Sequence, residues 1–182
     1  MLRSLSRNAN VIMKRTTVKK RDGTVLNLCF FDLPKDRIED LVEFQMNNFV
    51  RYELTFRISG LPDSKEALLE YRDILRNKLS DPSAFTFICC EERDNQVLPK
   101  IIASDSMRLI KRGEPDKDDM LTNFKTKEVK NYFRILRDWN NLYPVPDLMK
   151  KYNLEYFFDG QGTAVHHDYK GNGIVYHKMV LR

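Results

Sequence analysis

Ala164-Val165-His166-His167-Asp168-Tyr169-Lys170-Gly171-Asn172-Gly173-Ile174-Val175 is the stretch whose reading decides the fold. It follows an extended apolar run, Leu154 to Val165, that contains Gly160 and Gly162, and it precedes a helical pattern from Val175 to Arg182. The segment therefore reads as strand, glycine loop and helix. Glycines at 171 and 173 let backbone amides approach a ligand without side-chain obstruction. The start of the following helix would supply N–H donors and partial positive charge, so such a corner suits phosphate groups. An ordinary strand-to-helix turn carries the same two glycines, and the residues alone leave both readings open.

Working outward, Val25 to Phe31 follows the turn signal Asp22-Gly23 and is rich in apolar and aromatic residues, which predicts a first strand. Pro34 opens an amphipathic helix to about Phe49, with Ile38, Leu41, Val42, Met46 and Phe49 at helical spacing. After the loop Gly60-Leu61-Pro62, Asp63 and Glu66 make a capping pair for a second helix ending near Ser80, with Leu68, Tyr71, Leu75 and Leu79 as its buried stripe. Ala84 to Cys90 and Ile101 to Ile110 read as a hairpin joined by Glu91 to Asn95. Residues 111 to 123 read as a solvated loop. A helix from Thr126 to Asn140 turns Val129, Tyr132, Phe133, Leu136 and Trp139 to one side, which makes the single tryptophan a core residue. A short helix at Val145 to Tyr152 leads into the last strand. This order suits an α/β sheet with helices packed on it.

Composition narrows the function. The 182 residues fit one domain and contain no run near the roughly 18 apolar residues of a membrane span. Of the 31 basic side chains, seven fall in residues 1–21 beside no acid, so the other 24 face 26 acids. Charge held in a leader rather than on the folded domain argues against nucleic acid as a partner. The expectation is a basic, disordered tail over 1–21 and a folded domain over 22–182. A cytoplasmic location follows, with a mitochondrial targeting segment as the alternative use of that tail. Cys29, Cys89 and Cys90 read as reduced core residues. His166 and His167 would point apart in an extended chain, so no metal site is expected.

At Val165, His166, Tyr169, Gly171, Gly173 and Ile174 the decisive stretch resembles the strand, loop and helix that hold the acetyl-CoA pyrophosphate in the GNAT acyltransferase superfamily. It departs from the pattern at His167, where the family has proline, at Lys170, where it has arginine or glutamine, and at Val175, where it has a small residue. Lys170 keeps a positive charge but lacks the planar fork of arginine. Phe49-Val50-Arg51-Tyr52-Glu53-Leu54 is similar to the F-x-x-x-E-P segment of insect arylalkylamine N-acyltransferase-like GNAT proteins, with leucine in place of proline. The bland reading of Glu53 is a solvated carboxylate at a helix end.

The resemblance implies a GNAT-like α/β fold, a mixed, mainly antiparallel sheet flanked by helices with its C-terminal strands missing. It also implies acetyl-CoA or another acyl-CoA as cofactor and a small-molecule amine as substrate. Glu53 would be the general base. The backbone of Thr163, Ala164 and Val165 would pair with the pantetheine arm, and Lys170, Gly171, Asn172, Gly173, Ile174, Val175 and Tyr176 would hold the pyrophosphate. A family domain continues past this helix, so the strand ending at Val165 would become an open edge, covered by a homodimer or a partner chain. Two other functions stand beside the enzyme: an inactive relic that needs such a partner, and an unrelated α/β binding module.

Overall fold

Val25–Asp32 is apolar at nearly every position because both of its faces are covered. The computed structural model describes residues 12–114 and 123–179, and in it this strand (β2) lies inside a five-stranded sheet. Leu26, Leu28 and Phe30 pack on one face with Val18, Cys89, Ile102 and Ile174, while Cys29 and Phe31 join the larger helical core on the other. A continuous apolar run is what a doubly covered strand needs.

The other strands are β1 (Ile12–Lys19), β3 (Ala84–Arg93), β4 (Gln96–Lys111) and β5 (Tyr156–Val165), in the spatial order β1-β2-β3-β4-β5. Every described pairing is antiparallel. Between β2 and β3 come α1 (Ile38–Gln45), α2 (Leu54–Ser59) and α3 (Lys65–Ser80); α4 (Lys127–Leu142) and α5 (Val145–Lys151) precede β5, and α6 (Ile174–Met179) follows it. The helical core joins Leu41 and Val42 of α1, Phe56 of α2, Ala67, Tyr71 and Leu75 of α3, and Val129, Tyr132 and Phe133 of α4. Among the described residues no helix is long and apolar enough to cross a membrane.

Several expectations need correction. Ile12–Lys19, taken as part of a disordered tail, is strand β1. The turn that joins it to β2 is closed by Gly23 N–H donating to Lys20 O (3.0 Å), Lys20 N–H to Thr24 O (2.8 Å) and Thr24 N–H to Asp22 Oδ1 (2.9 Å). Its basic residues are compatible with a strand because β1 is an edge, with Lys14, Thr16 and Val18 alternating against exposed neighbours. Between the first expected helix and the loop at Gly60 lies a further helix, α2, that the sequence pattern did not mark. The cap of α3 is Ser64, whose Oγ accepts from Ala67 N (3.2 Å), rather than Asp63 with Glu66. Trp139 is 59 % exposed: α4 buries its N-terminal half and then runs beyond the core, so helical spacing kept the face but not the burial. The start of the basic stretch (1–11), most of the expected loop (115–122) and the end of the expected last helix (180–182) lie outside the described residues.

Candidate functional site

The first half of the site grows from the end of α1, which widens into a π-helical turn over Met46–Val50. That turn sets the ring of Phe49 against β5 at Gly162, where an added Cβ would stand 3.0 Å from two ring carbons and φ is +136°. Only glycine tolerates both the contact and the conformation. Phe49 meets Phe56 edge-on at 5.7 Å, and Phe56 stacks on Tyr132 at 4.2 Å, so the turn is clamped between β5 and the helical core.

Glu53 follows directly. Its backbone N–H donates to Phe49 O (2.9 Å), and its carboxylate is the N-cap of α2. Oε2 accepts from the amides of Thr55 (2.9 Å) and Phe56 (3.2 Å), and Oε1 from Thr55 Oγ1 (2.9 Å). The side chain is half-buried, not the solvated carboxylate of the bland reading. The F-x-x-x-E spacing thus has a physical meaning here: the aromatic residue docks the turn on β5, and the glutamate starts the next helix.

The second half of the site is β5 and the loop after it. His166 N–H donates to Ile102 O (2.8 Å), which fixes the phase of the β4–β5 ladder. Since antiparallel hydrogen bonding alternates, Ala164 faces β4, while the backbone of Thr163 and Val165 is turned away from it. Ala164 also buries its side chain in the helical core, whereas Val165 packs on the opposite face. Thr163 Oγ1 donates to the buried Asp105 Oδ1 (2.9 Å).

Beyond Val165 the chain makes a single turn over His167–Tyr169 and reaches Lys170 and Gly171. Asn172 ties the loop down, its Nδ2 donating to Tyr169 O (3.1 Å) and its Oδ1 accepting from Arg21 N–H (3.3 Å). Ile174 is buried and anchors α6, while Val175 and Tyr176 are exposed. Two contacts join this loop to the Glu53 turn: His167 Nδ1 lies 3.4 Å from Asn48 Oδ1, and Lys170 Nζ stands 4.8 Å above the Tyr52 ring. Glu53, Thr163 to Val165 and Lys170 to Ile174 therefore belong to one connected region.

Positive charge gathers there. Lys20 Nζ and Lys100 Nζ lie 5.0 and 5.7 Å from the Tyr169 ring centre, and the Arg21 guanidinium covers Gly171. Burial, followed by the Glu91 carboxylate that accepts from its hydroxyl (3.5 Å), pushes the Tyr169 phenol above its usual range. Burial, helped by Lys100 and His167, lowers the His166 imidazole below the ordinary histidine value. Sequence reasoning missed Lys20, Arg21, Lys100 and Asn48. The signal for the first two was Asp22-Gly23, a hairpin turn with alternating residues on both sides.

The two histidines do not point apart. The turn after β5 stacks their rings at 4.2 Å, and His166, His167 and Asp168 bring one donor atom each within 4.8 Å of one another, a set that could hold a metal ion. A polyanionic cofactor also fits the residues present, because four cationic side chains lie on or beside a loop whose first glycine holds a left-handed backbone that favours glycine. Separately, a cavity of about 350 Å³ lies between α3, α4 and the sheet, walled by Tyr71, Leu75, Tyr132, Met107, Gln45 and Asp159.

The sequence matches no family model and no curated protein. Solved structures do match. The protein designated arylalkylamine N-acetyltransferase 7 from the yellow fever mosquito superposes with a TM-score of 0.78 at 20% identity, over 100% of this chain and 72% of that one. Arylalkylamine N-acetyltransferase 2 from Aedes aegypti gives 0.62 at 16% identity, over 84% and 67% of the two chains. An agmatine N-acetyltransferase gives 0.59 at 11% identity, over 84% and 67%. The fold is that of GNAT-type N-acetyltransferases, as the sequence resemblance implied.

Proposed function

We propose that this chain is an acyl-CoA-dependent N-acyltransferase whose acceptor is a primary amine of the arylalkyl class, with Glu53 as general base. The observation that carries the reading is the joining of two halves: the turn bearing Glu53 is docked on β5 by Phe49 and linked to the glycine loop through Asn48 and Tyr52. Neighbouring folds that bear the names of arylalkylamine N-acetyltransferases support acyl transfer to an amine.

In this proposal the backbone of Val165 and Thr163 faces the pantetheine arm as an added strand would, with Ala164 holding β5 to β4. Lys170 and the amides from Gly171 through Asn172, Gly173, Ile174, Val175 and Tyr176 hold the pyrophosphate. The cofactor, when bound, supplies an acyl group activated as a thioester. Glu53 would take a proton from the substrate ammonium, directly or through a water, leaving a neutral nitrogen able to accept the acyl group that the bound thioester would supply; the second nitrogen proton would go to the departing thiolate, releasing free thiol and the amide. Positioning supplies most of the rest. The cavity beside Tyr71 and Tyr132 has aromatic walls that suit an arylalkyl group, while Asp159 on its wall is already paired with Arg108, which also lines it (3.8 Å). The folded domain is taken to begin with β1 and not at residue 22.

Titration calorimetry with CoA tests the cofactor and thiol release with an arylalkyl amine tests the chemistry. Heat saturating in the micromolar range and turnover are expected; no heat at millimolar CoA removes the proposal. The inactive-relic reading draws on β5 lying at an edge of the sheet among the described residues. It requires a dimer by light scattering together with absent turnover.

A further inference from the structure

Lys170 stands where the family resemblance places an arginine or glutamine, and the structure shows where a planar fork is available instead. The β1–β2 turn carries Arg21 to the opposite side of the glycine loop. A Cβ built on Gly171 would lie 3.2 Å from Arg21 Nη2, 3.4 Å from Cζ and 3.7 Å from Nε. Three such similar distances put the face of the guanidinium, rather than its edge, over the place a side chain at Gly171 would take. At φ +77° Gly171 is also in the left-handed region, so the loop is built for this close approach.

The position is fixed from both ends. Arg21 N–H donates to Asn172 Oδ1 (3.3 Å), and the turn behind it is closed by the bonds among Lys20, Gly23 and Thr24. Among the described residues no side chain accepts a hydrogen bond from the Arg21 guanidinium, which is exposed. Lys20 and Lys100 lie near the Tyr169 ring and Lys170 over Tyr52, with Lys100 Nζ also 3.9 Å from Asp168. The nearby acids are engaged elsewhere: Asp22 accepts from Thr24 N, Glu91 pairs with Arg93 (2.7 Å), and Asp168 pairs with His167 (3.0 Å).

We infer that Arg21 is a phosphate-binding residue of this site, gripping a phosphate at the nucleotide end of acyl-CoA with the planar donors that Lys170 lacks. The inference rests on the acyl-CoA reading above. Two phosphate sources share this chemistry, the pyrophosphate and the 3′-phosphate. Arginine matches either in a two-point contact, and lysine does not.

The test is titration calorimetry on the full chain with CoA, dephospho-CoA and inorganic pyrophosphate, for wild type, Arg21→Ala, Arg21→Lys and Lys19→Ala. Arg21→Ala is expected to weaken CoA by about tenfold or more, the scale of a lost charge-assisted contact. Arg21→Lys should recover only part, and Lys19→Ala should stay within about twofold, since an exposed charge on β1 acts only through screened space. An equal penalty with dephospho-CoA assigns Arg21 to the pyrophosphate; a penalty confined to CoA assigns it to the 3′-phosphate. If wild type binds CoA and Arg21→Ala binds it equally well, the inference falls and the cofactor reading stands. Should wild type bind no CoA, Arg21-dependent binding of pyrophosphate keeps the anion site and removes the cofactor; no binding of either removes both. An unchanged thermal midpoint in Arg21→Ala, expected for an exposed turn residue, separates lost contact from lost fold.

Discussion

Replacing Glu53 by glutamine and by alanine separates what the carboxylate does for the fold from what it does for chemistry. As the N-cap of α2 it accepts two backbone amides and one hydroxyl. Losing an N-cap costs about 1 kcal/mol, within a range of about 0.5–2. Glu53→Ala should fall in that range, because α2 has six residues and no other described side chain caps its start. Glutamine keeps a carbonyl oxygen for the amides of Thr55 and Phe56, and its NH2 can donate to Thr55 Oγ1, so Glu53→Gln should lose less than about 0.5 kcal/mol. Glutamine, however, cannot take up a proton. A general base is worth about 100- to 10,000-fold, so turnover by Glu53→Gln should drop at least 100-fold at neutral pH. The loss should shrink as pH rises and the amine substrate deprotonates unaided. Urea denaturation gives the first quantity and thiol release with acetyl-CoA and an arylalkyl amine the second. Turnover of Glu53→Gln within threefold of wild type, with CoA still bound, refutes the base; unchanged stability in Glu53→Ala refutes the cap.

Gly162→Ala forces an L-residue to φ +136° and drives a methyl to 3.0 Å from the Phe49 ring, so a loss of about 2–4 kcal/mol is expected by urea denaturation, part of it recovered when Phe49 is also replaced by leucine. Glu70 accepts from Lys125 N (2.6 Å), Thr126 N (2.8 Å) and Thr126 Oγ1 (2.6 Å), tying α3 to the start of α4, and Glu70→Ala should cost about 1–3 kcal/mol. Burial raises that carboxyl but these bonds outweigh it and hold it below 4.5, so its contribution is present above that value and is lost as pH falls through the lower folded one. His166 is likewise depressed, by burial first. Protons bind the unfolded chain more readily, stability drops as pH falls below about 6.5, and His166→Gln should flatten that slope in denaturation curves from pH 7.5 to 5. Leu54→Pro should be neutral or stabilising by about 0.4–1 kcal/mol; a clear loss of thermal midpoint would contradict the geometry described for Glu53.

Much of the fold was legible because it depends on periodicity. The apolar run of β2, the positions Tyr71, Leu75 and Leu79 of the α3 stripe, where Ala67 is buried and the expected Leu68 only partly so, and the β3–β4 hairpin all leave patterns within a single segment. What escaped was set by partners distant in sequence. The basic run before Asp22 reads as a tail until β2 is there to pair with it, and Arg21 becomes a site residue only because Gly171, 150 positions away, folds against it. Trp139 failed for a related reason: spacing tells which face of α4 points inward but not where the core stops. The stacking of His166 on His167 depended on the chain leaving the strand at Val165, a boundary that the alternation of a strand cannot announce.

Two of the departures from the resembled motifs, at Leu54 and at Lys170, have different physical weights. Leu54 occupies the first position of α2, directly after a capping residue at φ −72° and ψ 138°. Proline is favoured at that position because its fixed φ is already helical and its missing N–H has no partner to lose, and the residue before it must be extended, as Glu53 is. The proline of the resembled segment therefore stiffens an entry that leucine also makes, and its loss removes nothing from the placement of Glu53. Lys170 is otherwise. Its ammonium is held over Tyr52, 4.8 Å from the ring centre, and gives charge without a planar pair of donors. Nothing local can replace that fork, so any replacement has to arrive from another strand, and the guanidinium that covers Gly171 is the one in position to do so.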